Sequence, residues 1–321
     1  MPYCLTLLPI IMGIVMKTKS LTIGAVSTFI ERIMGFSFEN TSPTAFRGHK
    51  NDTWEAIPSI FRDEYAEAYN NENSIVRDIV SAHPAEFESD KTMFDRLVRM
   101  QHYSLPTRLL DVTINPLVAL WFATEESDDK VYLSNGRIRN KKMDGKVFIY
   151  FIPDNRKRYY DSDTVTCLSN LSNLKKKQKD DFLARAFDFS NRNDEMVNII
   201  KYFNDEDDSV DQLYYHAGME KSHFRKVINP KHFISPVYVK PKMSNKRIIA
   251  QSGAFLLYPH HPELTKKHQG NDLDIHVETL IVQARAKAKI RGQLAKLGIH
   301  AGSIFPEMDK ASEYILAQYN K

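Results

Sequence analysis

The stretch from Arg99 to Ala123 constrains the fold more than any other part of this chain, because it places many polar groups among residues with a buried character. It reads RMQHYSLPTRLLDVTINPLVALWFA, and its polar members are Gln101, His102, Tyr103, Thr107, Arg108, Asp111 and Thr113. A buried polar group without a partner costs about 1 to 3 kcal/mol, so a segment that only filled a core would avoid such residues. The pattern predicts a fixed polar network that shapes a pocket wall, with Arg108 and Asp111 holding one another.

The end of the same stretch predicts a buried helix. Asn115 can cap a helix, and Pro116 is favoured at the first helical position. Leu117, Leu120 and Trp121 then form one apolar face. We expect this face to pack into the core of the protein.

The composition is typical of globular proteins and names no partner. The chain has 321 residues and is 42% hydrophobic, which is enough to bury a core. Its 44 Lys and Arg residues against 40 Asp and Glu give a net charge of only +4, which argues against a basic face for nucleic acid. Two distant cysteines, Cys4 and Cys167, argue against a disulfide framework and suit a reducing cytoplasm. The apolar run before Lys17 is short for a membrane span, so we expect a cytoplasmic protein without membrane contact.

The order of patterns predicts a single α+β domain with a central, mostly antiparallel sheet flanked by helices. We interpret residues 1–26 as an N-terminal extension, with a misassigned start as one explanation, and residues 27–153 as the core. The core ends on GKVFIYFIP, which is apolar on both faces and typical of an interior strand. Residues 154–211, with KKKQK and DEDD, predict a charged helical insertion. Residues 212–321 add strands in PVYVKP, RIIAQSGAFLLYP and IHVETLIVQA, and then C-terminal helices that complete the same domain.

Two glycines have predicted roles in this scheme. Gly48 follows a short strand-like run and is expected to mark a turn. Gly253 lies inside RIIAQSGAFLLYP and indicates a bulge or a close backbone approach in that strand.

Four segments together resemble the FRG domain family, which is named for its (Phe/Tyr)-Arg-Gly motif. They are Phe46-Arg47-Gly48, QHYSLPTRLLDVTINPLVALWFA, RIIAQSGAF and the closing GIHAGSIFPEMD. The resemblance is most firm from about Phe29 to Phe151, so residues 27–153 correspond to the FRG core. It implies a fold and a bacterial context of phage defence more than it implies a reaction.

A weaker resemblance concerns the ADP-ribosyltransferase fold. It implies that Arg47 grips the phosphates or ribose of NAD, and that Thr113 takes the hydroxyl position before the helix at 115–123. The third element of such enzymes is a Glu, whereas RIIAQSGAF offers Gln251. A Gln can hydrogen-bond a ribose hydroxyl but supplies no negative charge for a developing oxocarbenium ion. The carboxylate could instead come from another segment, with Glu278 and Glu307 as candidates.

The residues lead to two functional hypotheses for a cleft between Phe46-Arg47-Gly48 and the segment 107–113. In the first, the cleft binds a nucleotide or NAD-like ligand, and the protein transfers ADP-ribose to a protein or nucleic-acid target. Arg47, Thr113 and Gln251 are then the catalytic candidates, and the ligand-binding candidates are His102, Tyr103, Thr107, Arg108 and Asp111. In the second, the protein is a non-catalytic sensor or interaction module in which the same residues form a structural network.

Other well-marked chemistries are disfavoured by the sequence. His260 and His261 are adjacent, but no carboxylate or Cys stands at ligand spacing from them, so no metal site is expected. The sequence has no Walker-type loop, Gly-rich dinucleotide fingerprint, Gly-x-Ser-x-Gly elbow or His-Glu-x-x-His helix.

Overall fold

The fold is known here from a computed structural model, which describes residues 21–39, 41–132, 138–205, 207–243, 245–263 and 275–308, with 312, 315, 316 and 319. Its strands are β1 Leu21–Ile23, β2 Ala45–His49, β3 Leu109–Thr113, β4 Asp128–Tyr132, β5 Ile138–Lys142, β6 Gly145–Phe151, β7 Lys157–Tyr159, β8 Val237–Lys240, β9 Gly253–Leu257 and β10 His276–Val282. The interpretation of residues 1–20 and the position of Cys4 lie outside the described residues.

Helices of very different lengths connect these strands. They are α1 Val26–Gly35, α2 Ala66–Asn70, α3 Glu72–Ala82, α4 Pro84–Phe87, α5 Met93–His102, α6 Pro116–Ala123, α7 Asp163–Asn170, α8 Lys176–Ser190, α9 Met196–Phe203, α10 Asp208–Glu220, α11 Lys246–Ala250, α12 Lys287–Lys296 and α13 Ala301–Ile304. The segment 154–211 thus holds α7, α8 and α9, and α10 continues across its end. Within the described ranges, no helix combines the length and apolar character needed to cross a bilayer.

The strands form an eight-stranded sheet in the order β1-β10-β6-β2-β3-β9-β8-β7, and β4 and β5 form a separate hairpin. The β1–β10 and β7–β8 pairs are parallel, and the other pairs of the large sheet are antiparallel. The predicted mostly antiparallel sheet flanked by helices is therefore confirmed. The interior position of β6, between β10 and β2, explains why GKVFIYFIP is apolar on both faces.

One face of the sheet is covered by two helical clusters that lie side by side. Over β1, β10, β6 and β2, a cluster containing Phe46 packs against α1, α6 and α12. Over β3, β9 and β8, a cluster containing Leu109 and Phe255 packs against α5 and against α7 to α10. The helices of segment 154–211 therefore contribute to the main core. The two clusters meet where β2 lies beside β3.

The strands β2 and β3 separate at this meeting point. The strand β2 pairs with β6 along its whole length, but it pairs with β3 only where Phe46 lies opposite Thr113. Beyond that pair the two strands leave a gap in the sheet. Alternation along β2 puts Phe46 on the face covered by α6, and puts Arg47 with Ala45 on the opposite face.

Gly48 lies inside β2, so the prediction that it marks a turn is wrong. A Cβ atom at this position would lie 1.8 Å from the carbonyl oxygen of Ala119 and 2.8 Å from the backbone nitrogen of Ala123. On β6, a Cβ at Gly145 would lie 2.0 Å from the carbonyl oxygen of Ala123. The two glycines allow the backbone of α6 to lie directly on the sheet. Asn115 caps α6 as predicted, since its side chain accepts a hydrogen bond from the backbone N–H of Leu117.

The segment RIIAQSGAFLLYP is a helix followed by a strand, which corrects the prediction of one long strand with a bulge. The side chain of Asn245 accepts a hydrogen bond from the backbone N–H of Arg247 and thereby caps α11. Ser252, with a φ of 48°, reverses the chain after the helix, and Gly253 is the first residue of β9. Gln251 consequently lies at the end of a helix.

Candidate functional site

A cleft opens where the two helical clusters meet, above the gap between β2 and β3. It encloses about 280 Å³ and is walled by α5, α6 and α11. The predicted site residues that line it are Arg47, His102, Asp111, Thr113 and Gln251. Apolar side chains of Phe46, Val98, Val118, Phe122, Ile248 and Phe255 complete its surface. The structure thus gathers residues from β2, β3, α5 and the end of α11 into one concave site.

Arg47 reaches this cleft through the gap in the sheet. Its Nε donates to Nε2 of His49 at 2.8 Å, and its Nη1 donates to the carbonyl oxygen of Asp111 at 2.5 Å. The second bond gives the carbonyl oxygen of Asp111 a hydrogen-bond donor in the gap, where β2 no longer pairs with β3. A guanidinium has five N–H donors. Both N–H groups of Nη2 and the second one of Nη1 have no partner among the described residues, so they are available to a ligand.

His49 holds Arg47 as a neutral imidazole. Burial, and next the positive charge of Arg47, lower the pKa of His49 to about 3. Its Nδ1 lies 3.3 Å from the carbonyl oxygen of Trp54, so Nδ1 carries the proton and donates it. Nε2 is therefore the acceptor that faces Arg47. This arrangement fixes the plane of the guanidinium.

Thr113 and Gln251 join the end of β3 to the end of α11. The Thr113 hydroxyl donates to the carbonyl oxygen of Gln251 at 2.7 Å and accepts from the backbone N–H of Asn115 at 3.0 Å. The side-chain amide of Gln251 donates to the carbonyl oxygen of Ile304 at 3.4 Å. Both predicted catalytic groups line the cleft, but each is engaged in contacts that stabilise its walls.

Arg108 is fully buried and does not line the cleft. It forms a two-bond ion pair with Glu72, in which its Nε lies 3.0 Å from Oε1, and it donates to the carbonyl oxygen of Pro259 at 2.9 Å. The buried Lys179 also pairs with Glu72. The predicted contact between Arg108 and Asp111 is therefore wrong. Side chains three positions apart on extended chain point to opposite faces, so these two cannot meet.

Burial of Glu72 raises the pKa of its carboxyl, but the adjacent cations of Arg108 and Lys179 outweigh burial and lower it to about 2. Glu72 is thus an anion between two cations in the core. Thr107 is also buried and turned inward, since its hydroxyl contacts the side chain of Gln101 and accepts from the backbone N–H of Leu109. The structure places Thr107, like Arg108, in the supporting network behind the cleft.

His102 and Tyr103 occupy different positions although they are adjacent in sequence. His102, at the end of α5, lines the cleft and also a larger outer cavity of about 670 Å³. Tyr103 borders the outer cavity but not the cleft, is 60% exposed, and donates from its hydroxyl to Glu86 at 3.4 Å. Val98, Asn245, Arg247 and Ile248 border both spaces, so the cleft and the outer cavity are adjacent.

Sequence reasoning missed Arg247 and Asn245 as members of the cleft. Arg247 begins RIIAQSGAFLLYP, for which the sequence predicts a strand, and in a strand Arg247 and Gln251 have no reason to be neighbours across a pocket. On a helix, residues four apart lie on one face, so the Asn cap two residues before Arg247 was the signal that could have placed them together. The guanidinium of Arg247 lies 5.2 Å from the centroid of the Phe305 ring.

The described part of the chain contains no group of three or more His, Cys, Asp or Glu side chains positioned to hold a metal ion. Cys167 is buried in α7, and burial raises the pKa of its thiol well above the ordinary range. The polar side chains that line the cleft carry guanidinium, imidazole, amide, hydroxyl and carboxylate groups.

Comparison with known proteins adds one match. Residues 42–131 match the family model of the FRG domain. No curated protein and no solved structure matches the chain. The matched region begins before β2 and ends in β4, so it contains Arg47, α5 and Thr113 but neither α11 nor β9.

Proposed function

This chain carries an FRG domain at residues 42–131, and we propose that the cleft of this domain binds a phosphate-bearing, nucleotide-like ligand, with NAD as the candidate. The observation that carries the proposal is the fixed guanidinium of Arg47. Two of its N–H groups are held by His49 and by the carbonyl oxygen of Asp111, and the others are unpaired among the described residues at the cleft. A guanidinium held in this way is prepared to bind a phosphate oxygen without further ordering.

The remainder of the cleft supports the same class of ligand. Phe46, Phe122 and Phe255 provide apolar surface for a base, while Arg247 adds a second cation between the cleft and the outer cavity. Small-molecule sites commonly combine an apolar lining with a few convergent polar groups. In this proposal, Arg47 binds phosphate and His102 lies against the base or sugar. ADP-ribosyl transfer to a protein or nucleic-acid target is the reaction that NAD would serve.

One observation favours a second candidate function, a sensor that binds the ligand without changing it. The hydroxyl of Thr113 and the amide of Gln251 are both used to hold β3, α11 and α13 together. Neither group is left as an unengaged catalytic group. In this alternative, ligand binding changes the contacts between these elements and so signals to a protein partner.

Thermal unfolding with and without ligand tests the binding proposal. We expect NAD, ADP-ribose or ADP at millimolar concentration to raise the Tm of the wild-type protein, because a ligand at 100 times its Kd stabilises the folded state by about 2.7 kcal/mol. Arg47→Ala is expected to abolish the shift. The matched control is Arg62→Ala, since Arg62 is a half-exposed arginine that does not line the cleft and makes two weak contacts, one to Glu64 at 3.9 Å and one to the carbonyl oxygen of Ile57 at 3.5 Å.

Equal shifts for the wild type and Arg47→Ala contradict the proposal, as does the absence of any shift with all three nucleotides. Incubation with NAD labelled on the adenine side then separates the two candidate functions. Label transferred to a macromolecule supports ADP-ribosyl transfer. Label that stays on intact NAD, together with an Arg47-dependent shift, supports the sensor.

A further inference from the structure

Glu307 brings a carboxylate to the cleft region from a segment that the FRG match does not reach. Its Oε2 is buried and has no hydrogen-bond partner among the described residues. Its Oε1 lies 3.6 Å from Nε2 of His102. A buried acceptor without a donor costs about 1 to 3 kcal/mol, so its retention requires an explanation. Glu278, the other carboxylate considered from sequence, pairs with His276 at 3.0 Å on β10 and does not border the cleft.

The segment that carries Glu307 is held against the cleft walls by several contacts. We call residues 304–308 the strap. The carbonyl oxygen of Ile304 accepts from Gln251, and the ring of Phe305 lies under Arg247 and meets the edge of Trp121, with ring centroids 5.8 Å apart. These contacts come from α11 and α6, which are two walls of the cleft. The carboxylate of Glu307 is thus positioned by the same elements that form the site.

His102 lies between this carboxylate and the cleft. It comes at the end of α5, and its side chain borders both the outer cavity, together with Glu307, and the cleft, together with Arg47. Nε2 faces Glu307, and Nδ1 has no hydrogen-bond partner among the described residues. A carboxylate that orients one nitrogen of an imidazole leaves the other nitrogen free to take a proton from a nucleophile.

We propose that His102 is a general base for a reaction of the bound nucleotide and that Glu307 is its positioning residue. The inference rests on the proposed function, because the substrate is the NAD-like ligand held by Arg47. Nδ1 of His102 removes a proton from water while the water oxygen bonds to C1′ of the nicotinamide ribose. The bond from C1′ to the pyridinium nitrogen breaks, and its electron pair goes to the ring. The products are nicotinamide, ADP-ribose and a proton that His102 returns to solvent.

The charge of the leaving group explains why His102 and Glu307 are suited to breaking the bond between C1′ and nicotinamide. The pyridinium nitrogen is already positively charged, so nicotinamide departs as a neutral molecule and needs no acid catalyst. The reaction therefore needs a base for the nucleophile, which His102 supplies, and an orienting anion for that base, which Glu307 supplies. A hydroxyl or other nucleophile of a macromolecular target could replace water in the same step.

Release of nicotinamide from NAD, followed by chromatography, tests the inference. We expect His102→Ala to lower the rate by about 100-fold or more, and imidazole added to the buffer to restore part of it. Glu307→Gln is expected to lower kcat by about 10-fold or more with KM unchanged, and Glu307→Asp to recover part of that loss. The matched controls are His276→Ala and Glu278→Gln, which remove a second His–Glu pair that lies outside the cleft. Both controls are expected to retain the wild-type rate.

The Arg47-dependent thermal shift with NAD, measured on the same variants, distinguishes failure of the proposed binding function from failure of the general-base inference. No shift for the wild type overturns the proposed function and this inference together. A shift without nicotinamide release overturns this inference alone. Release that continues at the wild-type rate in His102→Ala, or that imidazole does not restore, also overturns it. Equal losses in the His276 and Glu278 controls assign the effect to general destabilisation and count against the pair.

Discussion

At the scale of single residues, the site depends on how Arg47 is held more than on its charge alone. Its guanidinium starts on the face of the sheet opposite to the side chains of Asp111 and Thr113, and it reaches the cleft only because β2 and β3 separate. His49, two residues along the same strand, lies on the same face and accepts from Nε. The neutral state of His49 is a condition for that bond, because a protonated imidazole has no acceptor nitrogen.

The buried neutral state of His49 gives a testable pH dependence. The pKa of His49 is about 3 in the folded protein but about 6.5 when unfolded. Between pH 6.5 and pH 3 the unfolded protein therefore binds a proton at His49 that the folded protein does not bind. The free energy of unfolding consequently falls as pH falls from 6.5 towards 3, by up to about 1.4 kcal/mol per pH unit, and His49 causes no such loss above pH 6.5. Denaturant unfolding between pH 7 and pH 4 should show a shallower decline for His49→Gln than for the wild type. Parallel declines contradict the assignment.

At the scale of elements, the Phe-Arg-Gly motif combines three functions on consecutive residues of β2. Phe46 packs under α6, Arg47 reaches the gap, and Gly48 lets α6 lie close enough to wall the cleft. The motif therefore couples the position of the helix to the position of the guanidinium. A side chain at position 48 would push α6 away from the strand that carries Arg47.

We expect Gly48→Ala to lower both the Tm and any ligand-induced shift, because its Cβ would lie 1.8 Å from a backbone oxygen of α6. Backbone cannot move aside as a flexible side chain can, so the loss should reach several kcal/mol, beyond the about 1 to 3 kcal/mol of ordinary overpacking. The matched control is Gly292→Ala in α12, where no atom lies within 4 Å of the new Cβ. That variant should gain up to about 1 kcal/mol from helix propensity. Similar Tm values for the two variants contradict this account of the motif.

The predicted and observed elements differ in ways that indicate what the sequence alone can predict. The Asn115–Pro116 helix start and the interior strand β6 were predictable because their signals are local. The partner of Arg108 was not, because Glu72 lies 36 residues earlier in the chain and nothing local marks it. The role of Gly48 requires knowing that α6 crosses β2. Arg247 was missed because a five-residue capped helix and a strand look alike in a short apolar run.

At the scale of the whole molecule, the matched FRG region is smaller than the structural unit that contains the cleft. Inside the large sheet, β2 pairs with β6 and β3 pairs with β9, and both partners lie outside residues 42–131. The cluster around α5 draws on α7 to α10, which also lie outside. Arg247 and Gln251 join the cleft from still later in the chain, and Glu307 borders the adjacent outer cavity. The site is thus assembled by long-range contacts.

A fragment limited to residues 42–131 should therefore fail to fold. The two strands of the large sheet that it contains, β2 and β3, pair with one another only at Phe46 and Thr113. The fragment would also keep the ion pair between Arg108 and Glu72 but lose Lys179, the second cation that pairs with Glu72. Without β6 and β9, the backbone groups of both strands lose most of their partners, and the apolar faces of α5 and α6 are left exposed. Circular dichroism and denaturant titration should give a non-cooperative profile for this fragment. They should give a cooperative transition for the matched fragment 21–308, which keeps all eight described strands of the large sheet. A cooperative transition in the short fragment, with an Arg47-dependent shift by NAD, would mean that the later segments are dispensable and that neither α11 nor the strap belongs to the site.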